Sequence, residues 1–172
     1  MMASLNKYSV ISILLHCLIL GGLLLISGCA SPVTPIVQNR QLKETGHLGD
    51  SKGMFREPRD LKLTPRNTLL VTDFRNYRIQ ELTLDGDPLN SWGHRGSEAG
   101  EFLDPVTATM DREGNVYGVD TWNHRVQKLD VDTGVWNADW AVADFYAPRG
   151  IAIDSANRIY VVNTSRHSIH VY

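Results

Sequence analysis

Hydrophobic and polar positions fall into two regimes along this chain. Tyr8 to Ile26 is an uncharged stretch dominated by Ile, Leu and Val, the pattern of a signal segment or a membrane-spanning helix. From Gly53 onward the apolar runs become short and alternate with polar turns. The runs Leu61–Leu63, Leu69–Thr72 and Arg78–Leu82 have counterparts at Val106–Met110, Val116–Val119 and Arg125–Leu129, and the first two recur at Ile151–Ile153 and Ile159–Val162. Runs this short, with β-branched residues, predict strands rather than helices. Between them, Pro65-Arg66-Asn67, Asp111–Gly114 and Asp154–Asn157 carry the chemistry that reverses a chain. Asp85-Gly86 and Asp132-Thr133-Gly134 each open a further strand.

The strands belong to a repeat. Phe55-Arg56-Glu57-Pro58, Phe102-Leu103-Asp104-Pro105 and Phe145-Tyr146-Ala147-Pro148 are three copies of F-x-x-P, 47 and then 43 residues apart. The same offsets relate D-F-R-N-Y-R-I-Q at Asp73, D-T-W-N-H-R-V-Q at Asp120 and N-T-S-R-H-S-I-H at Asn163. Four short antiparallel strands in each period of about 45 residues describe a propeller blade. The expected fold is therefore an all-β propeller of four-stranded antiparallel blades.

These residues resemble the NHL repeat family, whose Asn-His-Leu triplet is nearly reproduced by Asn123-His124-Arg125. The resemblance spans residues 41–172, with repeats at about 53–99, 100–144 and 145–172. Gln41–His47 lines up with Pro88–His94, so residues 41–49 are expected to supply a permuted outer strand that hides a sheet edge. The third repeat stops after its third strand, which leaves about three blades, half of a six-bladed ring. A homodimer would complete such a ring, and truncation of a longer propeller is the favoured reading of the same shortfall.

The N-terminal 28 residues read as a lipoprotein signal peptide. Lys7 supplies the n-region charge, and Ile26-Ser27-Gly28-Cys29 resembles the lipobox in which a Cys thiol is acylated. The open alternative is an uncleaved membrane helix with Cys29 at its end. Residues 29–40, with two prolines and small polar side chains, read as the lipidated Cys and a flexible tether. Either reading places the rest of the chain outside the inner membrane. Ala30, rather than Asp, follows Cys29, which resemblance associates with an outer-membrane location.

Charge and motifs then narrow the function. With 17 Lys plus Arg against 19 Asp plus Glu, no basic face for nucleic acid is expected. There is no G-x-S-x-G, H-E-x-x-H, P-loop or G-x-G-x-x-G, so no catalytic residue is assigned. In a blade, the F-x-x-P entries and the D-x-x-N turns share one end. Arg59, Arg75, Trp122, His124, Arg149, Arg166 and His167 are the candidate binding residues there, because the repeat does not require most of them and an exposed Trp among Arg is a recognition composition. Phe55, Phe102 and Phe145 are expected between blades, with Pro58, Pro105 and Pro148 stiffening strand entry. Asp73, Asn76, Asp120, Asn123 and Asn163 are expected to fix turns through nearby amides, and Arg78 and Arg125 to brace adjacent blades.

The functional expectation is a membrane-anchored extracytoplasmic scaffold that binds a protein, peptide or glycan of the cell envelope, with no cofactor. The resemblance also implies an alternative, a metal-dependent lyase of the peptidyl-hydroxyglycine amidating or streptogramin type. That reading would require zinc or calcium, with His124 and His167 as leading ligands, although two His fall short of a zinc site.

Overall fold

The computed structural model describes residues 44–140 and 144–172. The signal segment 1–28, Cys29, the tether through 40 and residues 41–43 lie outside the described residues. No helix among the described residues is long and apolar enough to cross a membrane.

Strands follow one another up and down in chain order. Blade 1 is β1 (Pro58–Leu63), β2 (Leu69–Asp73), β3 (Arg78–Leu82) and β4 (Pro88–Trp92). Blade 2 is β5 (Pro105–Met110), β6 (Val116–Asp120), β7 (Arg125–Asp130) and β8 (Val135–Asn137). Blade 3 has three strands, β9 (Pro148–Ile153), β10 (Ile159–Asn163) and β11 (Ser168–Val171). All pairs are antiparallel; β5 meets β1 and β2 of blade 1, and β9 meets β5 and β6 of blade 2. Residues 44–47 form no strand, but Leu48 bridges Phe55 in parallel as Arg95 bridges Phe102, 47 residues on.

Each first strand begins at its proline, ahead of the apolar run that announces it. Proline lacks an N–H and suits the first position of a strand. Pro58 pairs with Asp73, Pro105 with Asp120 and Pro148 with Asn163, and the register then slips by one residue. The extra residues are Arg59, Val106 and Arg149. A bulge re-aims the side chain it carries, and here it does so at the same end of all three blades.

Because side chains alternate across a strand, each blade shows one face to each neighbour. Leu70 and Ile79 of blade 1 join Phe102, Ala108, Met110, Val116 and Leu129 of blade 2 in one buried cluster. Tyr117, Val119 and Val126, on the other face of blade 2, join Phe145, Ile151, Ile159 and Val161 of blade 3. Phe102 is fully buried with Trp136 edge-on at 5.5 Å; truncating such a ring to Ala costs about 3–5 kcal/mol. Trp140 lies beyond the end of β8 and packs edge-on against Tyr117 at 4.9 Å. Gly118 stands where blades 1 and 3 carry Val71 and Val161. A Cβ there would lie 2.8 Å from Ile79 Cδ1 and 3.0 Å from the Phe102 ring, so the close approach of blades 1 and 2 requires the glycine.

The D-x-x-N turn is a 3-10 turn over Phe74–Asn76 and again over Thr164–Arg166. Tyr77, His124 and His167 follow it in the left-handed region, with φ of 55°, 55° and 53°. The Asp that leads into the first of these turns does not cap it. It reaches back to the strand entry instead: Asp73 Oδ1 accepts the Arg56 N–H at 2.7 Å, and Asp120 Oδ1 accepts Leu103 N–H at 3.1 Å and Asp104 N–H at 2.9 Å. This departs from the local turn bonds expected from sequence: the carboxylates accept amides that lie just ahead of the first strand of the blade.

The other carboxylate oxygen organises the loop that leads into the blade. Asp73 Oδ2 accepts from Asn76, Arg78 and Gln80. Those three side chains in turn donate to the carbonyls of Gly49, Asp50, Ser51 and Met54. Blade 2 repeats the arrangement, with Asn123, Arg125 and Gln127 holding Gly96, Ser97, Glu98 and Glu101. The copies differ in the ion pair: Arg78 Nε is 2.8 Å from a buried Asp73, whereas Arg125 Nε is 3.8 Å from Asp120 and has no hydrogen-bond partner. Burial pushes the Asp120 carboxyl above its usual value, against the opposing pull of its hydrogen bonds.

At the opposite end, Asp154 closes the β9–β10 turn. The backbone N–H of Arg158 is the main influence that holds its carboxyl down to about 2, assisted by the Arg158 and Tyr160 side chains and the Ala156 N–H.

Two outcomes are expected. Removing Arg78 strands a buried carboxylate, so Arg78→Ala lowers stability by about 3–5 kcal/mol; Arg125→Ala, which leaves a longer ion pair, costs about 1–3 kcal/mol. Urea unfolding of the two variants measures the difference, and equal losses would contradict the ranking. For Asp154 the folded pKa lies below the unfolded value. Its contribution is present above the ordinary carboxylate pKa and is lost as pH falls through about 2. An NMR titration of the Asp154 carboxyl should show a midpoint near 2 that rises in Arg158→Ala.

Candidate functional site

A cleft on the loop end lies between blades 1 and 2. Its volume is about 640 Å³, and it is lined by Arg59, Phe74, Arg75, Tyr77, Arg95, Leu103, Asp104 and Trp122. Each wall has a local cause. Arg59 is the bulge residue of β1, Phe74 and Arg75 lie in the 3-10 turn, and Tyr77 occupies the left-handed corner after it. From blade 2 come the strand entry, Leu103 and Asp104, and the turn residue Trp122, which is 71% exposed.

Stacking fixes the arginines. The Arg59 guanidinium lies 3.3 Å from the Phe74 ring centroid and donates to Asp104 at 2.7 Å. Arg75 covers the same ring at 4.7 Å and reaches Glu57 at 3.1 Å, while Arg95 lies 5.6 Å from the Tyr77 centroid. Cation–π contact holds a guanidinium plane in place without consuming its hydrogen-bond donors. Three cations, Arg59, Arg75 and Arg95, thus stand beside three aromatic rings, with Asp104 engaging Arg59 and Glu57 engaging Arg75. Such a surface attracts anions and offers bidentate donors to a carboxylate.

The seven residues singled out by sequence divide among the two junctions and blade 3 itself. Arg59, Arg75 and Trp122 share this cleft. His124 stacks on Tyr146 at 4.7 Å and accepts the Ala147 N–H at Nδ1, at the junction of blades 2 and 3. Arg149 is the bulge residue of β9, Arg166 pairs with Asp144, and His167 lies on the outer side of blade 3. His94 pairs with Glu101 at 3.0 Å. No group of three or more His, Cys, Asp or Glu among the described residues is disposed to hold a metal ion. Sequence reasoning missed Phe74, Tyr77, Arg95, Leu103 and Asp104. The available signal was departure from the repeat: Phe74 stands where the other copies carry Thr121 and Thr164, and Arg95 stands where Leu48 does.

Comparison with known proteins agrees with this architecture. The NHL repeat family model matches residues 145–172. The chain carries an NHL repeat in a β-propeller fold. Among solved structures, a protein of unknown function from Bacteroides thetaiotaomicron superposes with a TM-score of 0.53 at 21% identity, over 61% of this chain and 32% of that one. A gluconolactonase from Xanthomonas campestris gives 0.52 at 15% identity, over 66% and 43%, and a streptogramin B lyase gives 0.50 at 17%, over 67% and 40%. At these identities the likeness is one of fold. The chain spans less than half the length of each of these proteins. No curated protein matches it significantly.

Proposed function

We propose that this chain is a membrane-anchored scaffold of the cell envelope. Its loop end binds a carboxylate-bearing protein, peptide or glycan in the cleft between blades 1 and 2. The observation that carries this reading is the stacked Arg59, Arg75 and Arg95 beside the exposed Trp122 ring. Guanidinium planes held by aromatic rings present donors at fixed positions, which lowers the ordering cost of binding. Trp122 supplies a large apolar surface of the kind that dominates recognition energy. Anchoring through Cys29 belongs to the same proposal and accounts for an uncharged segment ahead of a polar propeller.

An oligoglutamate peptide serves as the probe. Binding measured by fluorescence anisotropy should weaken about tenfold in Trp122→Ala and by a similar factor in Arg95→Ala, and should weaken further as salt is raised. Unchanged affinity in Trp122→Ala would defeat the assignment of the cleft. Stoichiometric zinc or calcium in the purified protein, lost on His124→Ala, would instead establish the metal-dependent lyase reading.

A further inference from the structure

The residues that precede two strand-entry prolines decide how much charge the cleft between blades 1 and 2 has left to offer. Glu57 stands before Pro58 and Asp104 before Pro105, and each engages an arginine of that cleft. Asp104 accepts from Arg59 at 2.7 Å, and its side chain is only 6% exposed. Arg59 is therefore committed, because a buried carboxylate left without its cation is costly. Glu57 accepts from Arg75 at 3.1 Å with its side chain 61% exposed, and a pair so exposed to water contributes little. Arg95 meets the Tyr77 ring, and no carboxylate pairs with it among the described residues. Of the three cations along the cleft, one remains uncompensated.

That balance fixes what an incoming anion gains. A first carboxylate reaching Arg95 forms an ion pair where none existed. A second must displace Glu57 from Arg75, which exchanges one solvated pair for another and adds little. The rest of the lining is apolar or aromatic: Leu103, Phe74, Tyr77 and the exposed Trp122. Asp104 is the one carboxylate among the lining residues, and it already holds Arg59, so the side chains offer few acceptors to the hydroxyls of a sugar. An isolated carboxylate next to an apolar side chain matches these walls better than a polyanion or a glycan does.

We propose that the cleft selects a peptide segment bearing a single carboxylate beside an apolar side chain, and that Glu57 is the residue that sets this selectivity. Arg95 takes the charge, while Trp122 and Leu103 take the apolar group. Glu57 acts as a resident competitor: its own backbone holds it beside Arg75 at a high local concentration, which an external carboxylate must exceed. Runs of acidic residues therefore gain nothing over one. This selectivity rests on the carboxylate-binding role proposed above and adds to it the class of ligand.

Three end-blocked, fluorescent hexapeptides test it by anisotropy on the full chain in mild detergent: one glutamate among serines, one Phe-Glu pair among serines, and six glutamates. In the wild type, six glutamates should bind no more than about sixfold tighter than one, the advantage that statistics alone allow. The Phe-Glu peptide should bind about tenfold tighter than the single glutamate, a gain lost in Trp122→Ala. Glu57→Gln, a near-isosteric change at an exposed side chain, should raise the affinity for six glutamates about tenfold and that for one by no more than about twofold. A wild-type preference for six glutamates far above sixfold, or one that Glu57→Gln leaves unchanged, overturns the selectivity while the carboxylate-binding role of the cleft stands. Trigalacturonate binding more tightly than the Phe-Glu peptide overturns the choice of a peptide. If no peptide binds, or if Arg95→Ala binds all three as the wild type does, the role of the cleft falls and the selectivity with it.

Discussion

A buried polar group at the end of each second strand governs the rest of the structure. Asp73, Asp120 and Asn163 are wholly buried, and an unpaired polar group in that position would cost several kcal/mol. Its partners come from elements that are distant in sequence. One oxygen takes the amide of the strand entry, and in blades 1 and 2 the other takes the side chains that grip the loop arriving from upstream. Strand entry, bulge and turn are therefore set together at one end of each blade. The position of Arg59, and with it the wall of the cleft, follows from that constraint and not from any preference of the arginine itself.

The apolar faces are coupled to this polar frame through glycine and aromatic packing. Gly118 lets Ile79 and Phe102 meet across the blade boundary, and Trp136 closes over Phe102 from the outer strand. Dispersion and burial hold the blades against each other, while the buried clamps decide their register. The two kinds of interaction occupy different parts of the blade, so the loops can vary in charge without disturbing the core. That division explains how one repeat yields a cleft of arginines at the first junction and a His–Tyr stack at the second.

What the sequence made legible was whatever recurs. Three F-x-x-P copies and three turn copies specify antiparallel strands in blades, and the apolar runs locate all but the entry of each strand. The entries escape a hydrophobic reading because Pro58, Pro105 and Pro148 carry no such signal, and their pairing is set by the bulge one residue later. The reach of Asp73 to Arg56 is hidden for a related reason: an Asp before a turn looks local, and only the folded sheet brings an amide 17 residues away within 2.7 Å. The cleft was half legible. Arg75 and Trp122 stand out as departures from the repeat and Arg59 by its place at a strand entry, but Arg95 lies in a linker whose course depends on the clamp beneath it.

The third clamp is built differently, and the difference extends beyond binding. Asn163 replaces the carboxylate, while Ser168 and His170 stand where the other blades carry Arg and Gln. Asn163 holds Tyr146 and Asp144 by neutral bonds, and its contact with His170 is 3.4 Å. Neutral bonds resist extension less than a guanidinium fastened to several carbonyls. The molecule is thus mechanically graded: under tension, or in slow amide exchange, the strands of blade 3 should yield before those of blade 1, and the order of release is written in which blades kept their arginine.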